Sequence, residues 1–387
     1  MRNTESIYDL IVVGAGPAGS AAAAEALKEG LSVAQVEKCR FPRVKPCAGG
    51  MTVKSWNLLL SVPSSQCRGQ SKSFEFNFWK GRHNRFSSSG PMLRFVHRPD
   101  FDQWLVRRNR RFEHFQFFGD EPVKDISYDG LFQIHTEKQD LRGRQLIGAD
   151  GAYSVVNRTY GIGRPRARAT ALEVVLSRGG VARASSEEDI PCFDFGAIGK
   201  GYGWVFPKDS HWSAGIYTLN ERPEGAKKAL QTYLIEKGFQ SDDDLLCSLK
   251  AHRYPVGGYS LKIPELPVYL VGDAGGFAEA VTGEGIYYAL ESGRLAGEVV
   301  CNVHSGRSEH REYYRRLRYS VLADTFLSYQ LAERFYRNPG RWLKILEKSQ
   351  AWRPLVQGYS EGRTLTQTLL AALPSLIRSV GKVRRGW

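Results

Sequence analysis

The stretch from residue 7 to residue 30, IYDLIVVGAGPAGSAAAAEALKEG, decides the fold of the N-terminal part of the chain. The apolar run Tyr8 to Val13 predicts a buried strand, and an alanine-rich helix over about residues 16 to 30 follows a glycine-rich turn. A second strand is predicted from Ser32 to Glu37. This order indicates a β-α-β unit and therefore a parallel sheet with a crossover helix.

The turn has the spacing Gly-x-Gly-x-x-Gly at Gly14, Gly16 and Gly19. The first glycine allows the tight turn, the second lets the backbone approach a pyrophosphate, and the third lets helix and sheet pack closely. Glu37 ends the second strand 18 residues after Gly19, where an acid can accept hydrogen bonds from a ribose. An acid at this place favours FAD or NAD over NADP. The predicted cofactor residues of this region also include Pro17, Ala18 and Lys38.

Two further strings have the character of nucleotide-binding loops. IGADGAYS at 147–154 puts Asp150 at the end of a predicted strand. YLVGDAGGFAEAVTGEGI at 269–286 puts Asp273 after another strand and begins a helix at Gly283 to Ile286. Three such signals in one chain are more than chance predicts.

Composition and charge narrow the class of protein. The chain has 387 residues, 42% of them apolar and 24% charged, which predicts two or three globular units. Residues 304–387 hold 16 Lys/Arg and 6 Asp/Glu, and thus most of the net charge of +14. The six cysteines form no Cys-x-x-Cys pair, so we expect no metal site, no disulfide framework and a reducing compartment. A cytoplasmic protein is expected, with peripheral contact to an anionic membrane through the basic segment 304–387.

Taken together, the three loops resemble those of an FAD-dependent group that includes aromatic hydroxylases, flavin halogenases and geranylgeranyl reductases. The branch is indicated by three more strings. FPRVKPCAGG at 41–50 resembles the Lys-Pro-Cys-Gly loop of the geranylgeranyl reductases, and HRPDFDQWL at 97–105 resembles their Arg-x-x-Phe-Asp-x-x-Leu helix. GYGWVFPK at 201–208 is similar to their Tyr-x-Trp-x-Phe-Pro-Lys signature. Asn157 stands where relatives usually have Arg, and Ala280 where they commonly have Pro.

The resemblance implies FAD as cofactor and a role for particular residues. The first motif would bind the ADP part, Asp273 the ribityl or pyrophosphate region, and the helix start at Gly283 would lie beside the flavin ring. The remaining residues that it assigns to the cofactor are Lys45, Cys47, Ala48, Gly49, Arg98, Val123, Asp150, Glu284, Gly285 and Ile286. Tyr202, Trp204 and Phe206 alternate on a strand and would line an apolar substrate slot. Cys47, Tyr202 and Trp204 are the catalytic candidates, although a lone cysteine is often a small buried apolar residue.

The function that follows is an FAD-dependent reductase that saturates C=C bonds of an isoprenoid chain on a lipid, a quinone or a chlorophyll-type substrate. Electrons would come from NAD(P)H or from a ferredoxin. Two alternatives stay open: an FAD-dependent monooxygenase or halogenase acting on a small aromatic, and a non-catalytic flavin- or lipid-binding protein. No nucleic-acid partner is expected, because the basic segment has no recognised binding module.

The expected architecture is α/β, with a Rossmann-type FAD-binding domain interleaved with an antiparallel-sheet substrate domain and followed by a helical segment. The FAD-binding domain is predicted from residues 1–72, 97–168 and 263–303. The substrate domain is predicted from 73–96 and 169–262, and the basic helical segment from 304–387.

Overall fold

The chain divides into two units, each assembled from three separated stretches. The first unit is Met1–Lys45, Arg98–Ala167 and Tyr254–Phe326, and the second is Pro46–His97, Arg168–Arg253 and Leu327–Trp387. The structure, a computed structural model, describes residues 6–59, 62–81, 83–178, 189–239, 248–349 and 352–383. Parts of the predicted stretches, residues 179–188, 240–247 and 384–387 among them, lie outside the described residues.

The strands are β1 Ile7–Val13, β2 Val33–Glu37, β3 Gly50–Thr52, β4 Gln70–Ser71, β5 Ser73–Phe78, β6 Arg85–Ser87, β7 Leu93–Phe95, β8 Phe115–Gly119, β9 Asp125–Tyr128, β10 Phe132–His135, β11 Asp140–Gly148, β12 Gly163–Ser177, β13 Cys192–Phe195, β14 Gly201–Pro207, β15 His211–Thr218, β16 Lys250–Leu261 and β17 Val268–Leu270. The helices are α1 Pro17–Lys28, α2 Val53–Asn57, α3 Arg98–Asn109, α4 Val155–Tyr160, α5 Ala226–Glu236, α6 Ile286–His304, α7 Arg311–Tyr319, α8 Val321–Phe335, α9 Pro339–Ser349, α10 Trp352–Ser360 and α11 Leu365–Val383. The predicted opening β-α-β unit is present as β1, α1 and β2.

The first unit is built on a mostly parallel sheet with the order β8-β2-β1-β11-β10-β9. Strand β1 lies between β2 and β11 and is parallel to both, as crossover connections require. The far edge of β11 is shared, because residues 140–143 pair with β10 and residues 146–148 pair with β17. Helices α1 and α6 pack closely: a Cβ at Gly293 would lie 2.1 Å from the carbonyl oxygen of Ala18.

The second unit is built on a sheet with the order β16-β12-β15-β14-β13-β5-β6. The central pairs β12–β15, β15–β14 and β14–β13 are antiparallel, as predicted for the substrate domain. Strand β5 pairs with β6 in the antiparallel sense but with β13 in the parallel sense. Helix α5 covers one face of this sheet through Leu230, Tyr233 and Leu234, all fully buried. The predicted α/β fold class with an interleaved order of segments is thus confirmed.

The C-terminal part of the chain is helical from α7 to α11, as the sequence indicated. Residues 304–326 group with the first unit and residues from 327 onward with the second. Within the described ranges, no helix combines the length and the apolar character needed to cross a membrane.

Candidate functional site

In the glycine turn between β1 and α1, two glycines leave no room for a side chain, whereas the third has free space beside it. Gly14 has a φ of +105°, and a Cβ there would lie 2.2 Å from the carbonyl oxygen of Ala149. A Cβ at Gly19 would lie 2.1 Å from the carbonyl oxygen of Gly14. At Gly16, by contrast, the nearest described atom is Nη2 of Arg43, at 3.4 Å. This open position beside a tight turn is what the approach of a phosphate group requires.

The start of α1 supplies hydrogen-bond donors next to this opening. Pro17 lies in the first turn of the helix, followed by Ala18, and among the described residues no side chain caps this end. Because the first N–H groups of a helix have no partner within it, they and the helix dipole favour an anion at this place.

Glu37 lies at the end of β2 and is held by the backbone of the neighbouring turns. Its Oε2 accepts the N–H of Ala15 at 2.9 Å, and its Oε1 accepts the N–H of Cys39 at 3.1 Å. Each carboxylate oxygen has a further lone pair, so ribose hydroxyls can bind as well. The next side chain, Lys38, is exposed.

Arg43 is a half-buried cation of this site that the sequence analysis missed. Its Nη2 lies 3.2 Å from Oδ2 of Asp102, and its Nε lies 3.5 Å from Oε2 of Glu37. Asp102 also binds Arg98 within α3, with Nε to Oδ1 at 2.9 Å and Nη2 to Oδ2 at 2.8 Å. Two carboxylates therefore direct the Arg43 guanidinium towards the open side of Gly16. The sequence signal that could have identified Arg43 is its position within the string FPRVKPCAGG.

Lys45 and Asp273 are far apart in the sequence but form an ion pair in the structure. Lys45 Nζ donates to Oδ2 of Asp273 at 3.0 Å. Asp273 lies in the 3-10 turn Gly272–Gly275 that follows β17. A Cβ at Gly285, the residue before α6, would lie 3.8 Å from Oδ1 of Asp273. The turn after β17 and the start of α6 at Ile286 therefore adjoin.

The loop before α6 is organised by Glu279, a second residue that sequence reasoning missed. Its Oε2 accepts the N–H of Val281 at 3.0 Å, and its Oε1 accepts both the N–H and the hydroxyl of Thr282. Burial raises the pKa of the Glu279 carboxyl. Its N–H donates to the carbonyl oxygen of Glu284, and Gly283 between them has a φ of +72°. The carboxyl thus shapes the loop that contains Ala280.

Asp150 follows β11 and caps α4. Its Oδ2 accepts the N–H of Val155 at 2.6 Å, while its Oδ1 is buried and has no hydrogen-bond partner among the described residues. Burial raises the pKa of this carboxyl. Val123 is half-buried and packs against the core of the first unit. Asn157, at the position where relatives have Arg, closes the turn to β12 by exchanging two hydrogen bonds with Gly163.

The second unit contains the segment Cys47–Gly49. The N–H of Cys47 donates to Oε2 of Glu173 at 2.8 Å, and Cys47 Sγ accepts the N–H of Gly49 at 3.4 Å. Gly49 has a φ of +70°, and its carbonyl oxygen accepts the N–H of Val96 at 2.9 Å. Ala48 between them is half-buried. A tight turn therefore fixes the thiol of Cys47.

Tyr202, Trp204 and Phe206 lie on the face of the second sheet opposite α5 and are all buried. Further aromatic side chains lie on this face: the ring of Phe193 lies 5.4 Å from that of Tyr202 and 5.1 Å from that of Phe206. The aromatic contacts extend to the C-terminal helices, where the ring of Phe335 packs edge-on against that of Phe195 with 4.9 Å between their centres.

One polar corner interrupts this aromatic face. Trp204 Nε1 donates to Oγ of Ser213 at 3.2 Å, and Ser213 donates to Oε1 of Glu173 at 2.7 Å. A Cβ at Gly215 would lie 2.4 Å from two atoms of the Trp204 indole, so only glycine leaves room for the ring. Sequence reasoning missed Glu173 and Ser213 because neither belongs to the quoted motifs.

Comparisons with known proteins show which family this chain resembles. Residues 8–193 match a family model described as an FAD binding domain. An uncharacterised protein of Methanosarcina barkeri is 32% identical over 96% of this chain and 95% of its own length. Digeranylgeranylglycerophospholipid reductase 1 of Methanococcoides burtonii is 30% identical over 76% of this chain and 74% of its own.

The chain belongs to the geranylgeranyl reductase family of FAD-dependent oxidoreductases. A geranylgeranyl bacteriochlorophyll reductase-like protein from Thermoplasma acidophilum shares its fold, with a TM-score of 0.77, 21% identity and 98% of each chain covered. FAD, the cofactor of this family, fits the donor set of the first unit. The opening at Gly16, the Arg43 guanidinium and the uncapped start of α1 suit a pyrophosphate, and Glu37 suits a ribose.

Proposed function

We propose that this FAD-dependent reductase saturates C=C bonds of an isoprenoid chain, carried by a lipid, a quinone or a chlorophyll-type alcohol. The observation that supports this most directly is the aromatic face of the second sheet. Tyr202, Trp204 and Phe206 are each at most 6% exposed, and the facing residues Phe193 and Phe195 extend the same apolar surface. A water-poor, aromatic surface of this kind matches a methyl-branched hydrocarbon, which offers no polar group to recognise.

The cofactor would be held by residues of the first unit. Glu37 would bind the adenosine ribose, and Arg43 with the start of α1 would bind the pyrophosphate. Asp273 and Lys45 would bind the ribityl region, and the start of α6 would stabilise negative charge on the ring. When bound and reduced, FAD supplies the hydride that an alkene reduction needs.

The chain itself must deliver a proton to the second alkene carbon. We assign this role to Cys47 first and to the hydroxyl of Tyr202 second. In the first case the S–H bond breaks as the new C–H bond forms, and the thiolate then regains a proton from water. The turn at Gly49 holds the thiol in one orientation, and the aromatic face excludes water from the reacting bond.

The test is anaerobic reduction of the purified holoenzyme with dithionite, followed by geranylgeranyl diphosphate or a geranylgeranylated lipid. We expect flavin reoxidation and a gain of two hydrogen atoms for each bond reduced. Trp204→Leu and Tyr202→Leu should raise the KM, whereas Tyr128→Leu, an exposed tyrosine of the first unit, should leave it unchanged. Reoxidation only after oxygen is admitted would contradict the proposal and favour a monooxygenase or halogenase. Bound FAD that no donor reduces would favour a non-catalytic protein.

The electron donor we propose is NAD(P)H, docking transiently, or a ferredoxin. Stopped-flow reduction of the flavin by NADH, NADPH and a reduced ferredoxin, each in turn, distinguishes them. The donor with the largest second-order rate constant would be the physiological class, and failure of all three would exclude both.

We also propose that the basic helix α7 contacts an anionic membrane surface, from which a lipid substrate would come. Tyr313, Tyr314 and Leu317 are buried, while Arg311 and Arg318 are exposed on its outer face. Each cation near such a surface contributes about 1 kcal/mol to binding. Sedimentation with liposomes should show binding that needs anionic lipid and weakens in Arg311→Gln/Arg318→Gln. The control Lys227→Gln/Lys228→Gln changes the charge equally on α5, and an equal loss of binding there would contradict the role of α7.

A further inference from the structure

The registers of the second sheet align one carboxylate with the centre of the aromatic face. Trp204 is paired with Phe193 on one side and with Gly215 on the other, and Gly215 is paired with Glu173. Directly paired residues of antiparallel strands point to the same face. Phe193, Trp204, Gly215 and Glu173 therefore lie side by side across the sheet, and Glu173 is on the same face as the indole of Trp204.

Both oxygens of Glu173 accept hydrogen bonds, and both donors belong to the site. One is the N–H of Cys47 and the other is the hydroxyl of Ser213. Glu173 is buried, at 6% exposure, and the two hydrogen bonds leave neither of its oxygens without a donor. This arrangement couples a segment near residue 47 to strands β12 and β15.

Ser213 extends the same network to the substrate face. Its hydroxyl donates to Glu173 and accepts the Nε1–H of Trp204, and its side chain is fully buried. The indole can reach Ser213 because Gly215 has no side chain in its path. One carboxylate thus determines where the backbone of Cys47 lies and, through Ser213, where the Trp204 indole lies.

We propose that Glu173 and Ser213 are positioning residues of this reductase, which fix the Cys47 thiol and the Trp204 indole relative to one another. The inference rests on the proposed function in one respect, since Cys47 and Trp204 act on the substrate only if that function holds. Hydrogen-bonded supporting residues of this kind matter because a displacement of about 1 Å can reduce a rate about a hundredfold.

The variants Glu173→Gln and Ser213→Ala separate the two branches of the network. A glutamine keeps the volume but replaces one acceptor oxygen with an NH2 donor, so it cannot accept from both the Cys47 N–H and the Ser213 hydroxyl. We expect Glu173→Gln to lower kcat about tenfold with KM changed less than about twofold, and Glu173→Asp, which keeps both acceptors, to restore part of the rate. Ser213→Ala should instead raise KM several-fold, because the Trp204 indole loses its hydrogen-bond acceptor while the Cys47 N–H keeps Glu173. Ser213→Thr retains a hydroxyl and should restore KM.

A second readout does not depend on turnover. Alkylation of Cys47 by iodoacetamide in the oxidised holoenzyme, followed by peptide mass spectrometry, should be several-fold faster in Glu173→Gln and unchanged in Ser213→Ala. Tyr233→Phe is the matched control: it removes one hydrogen bond, of 2.6 Å, from the buried carboxylate of Asp194 on the opposite face of the same sheet.

The measurements distinguish a purely structural role of Glu173 from a failure of the proposed function. If Glu173→Gln lowers the melting temperature as Tyr233→Phe does but alkylation and kcat per bound FAD equal those of the wild type, Glu173 is structural and the inference is wrong. If the wild type reduces no prenyl substrate but Glu173→Gln still accelerates alkylation, the proposed function fails and the positioning of Cys47 stands.

Discussion

The ammonium group of Lys45 lies 3.0 Å from Oδ2 of Asp273, although 228 residues separate the two in sequence. The pair connects the end of the loop after β2 to the turn after β17, and both side chains are largely buried, at 26% and 15% exposure. An isolated carboxylate here would be costly, so the ion pair stabilises the Asp273 side chain in the place where we propose that it binds the cofactor.

Loss of this pair should weaken FAD binding more than loss of an exposed pair. In Lys45→Met the Asp273 carboxylate loses its cation, and we expect FAD affinity to fall about tenfold. Lys28→Met, which breaks the exposed pair with Glu25 at 2.8 Å, is the control and should leave affinity unchanged. Fluorescence titration of the apoprotein with FAD measures both, and equal affinities would refute the assignment.

Gly14 and Gly130 offer a matched test of the tight turn. Their φ angles are +105° and +102°, but a Cβ at Gly14 meets three backbone atoms at 2.2 to 2.9 Å, whereas one at Gly130 meets nothing within 4 Å. Gly130→Ala should lower the free energy of unfolding by about 1 kcal/mol, and Gly14→Ala by about 3 kcal/mol or more. Urea denaturation checks this, and similar losses would mean that the turn relaxes around the added methyl group.

Gly16 should behave differently, because its backbone is in the ordinary extended region and the space beside it is open. We expect Gly16→Ala to fold with a free energy of unfolding within about 0.5 kcal/mol of the wild type and yet to bind FAD at least about tenfold more weakly. Apoprotein stability together with FAD titration distinguishes this from a general loss of structure. Full FAD affinity in Gly16→Ala would place the pyrophosphate elsewhere.

Gly215 should be needed for the position of the Trp204 indole. A methyl group there would lie 2.2 Å from the carbonyl oxygen of Leu172 and 2.4 Å from the ring, so Gly215→Ala must displace the indole from Ser213, shift β12, or both. We expect prenyl reduction to fall by about tenfold or more, with a shift in tryptophan fluorescence. Gly199→Ala, where a Cβ meets no described atom within 4 Å, serves as the control. Unchanged turnover in Gly215→Ala would exclude the indole from the substrate site.

His211 should make the protein less stable in mild acid. Burial, with smaller contributions from Lys208 and His97, lowers the pKa of this imidazole to about 4 from 6.5. The unfolded chain therefore binds a proton that the folded chain does not, and stability falls as pH drops from about 6.5 to 4. We expect about 1 kcal/mol less free energy of unfolding at pH 5 than at pH 7, and a smaller difference in His211→Gln. An identical pH dependence in the variant would contradict this.

The sequence predicted the elements whose signal is local. The run to Val13, the glycine turn and α1 are read from neighbouring residues, and the alternation of Tyr202, Trp204 and Phe206 defines a face without knowledge of its partners. Glu173 could not be recognised in this way, because its meaning comes from Cys47, 126 residues earlier in the chain. Arg43 acquires its role only through Asp102 and Glu37, which folding brings to it.

The chain passes alternately between the two units, and this order has a consequence for folding during synthesis. Strand β1 pairs with β11, and β11 pairs with β17 at residues 268–270, so β1 is synthesised well before the strands that complete its sheet. Residues of the first unit continue to 326 and those of the second begin at 46. Neither unit can therefore be finished before the other has begun, and emerging apolar strands such as β1 would need protection by chaperones until then.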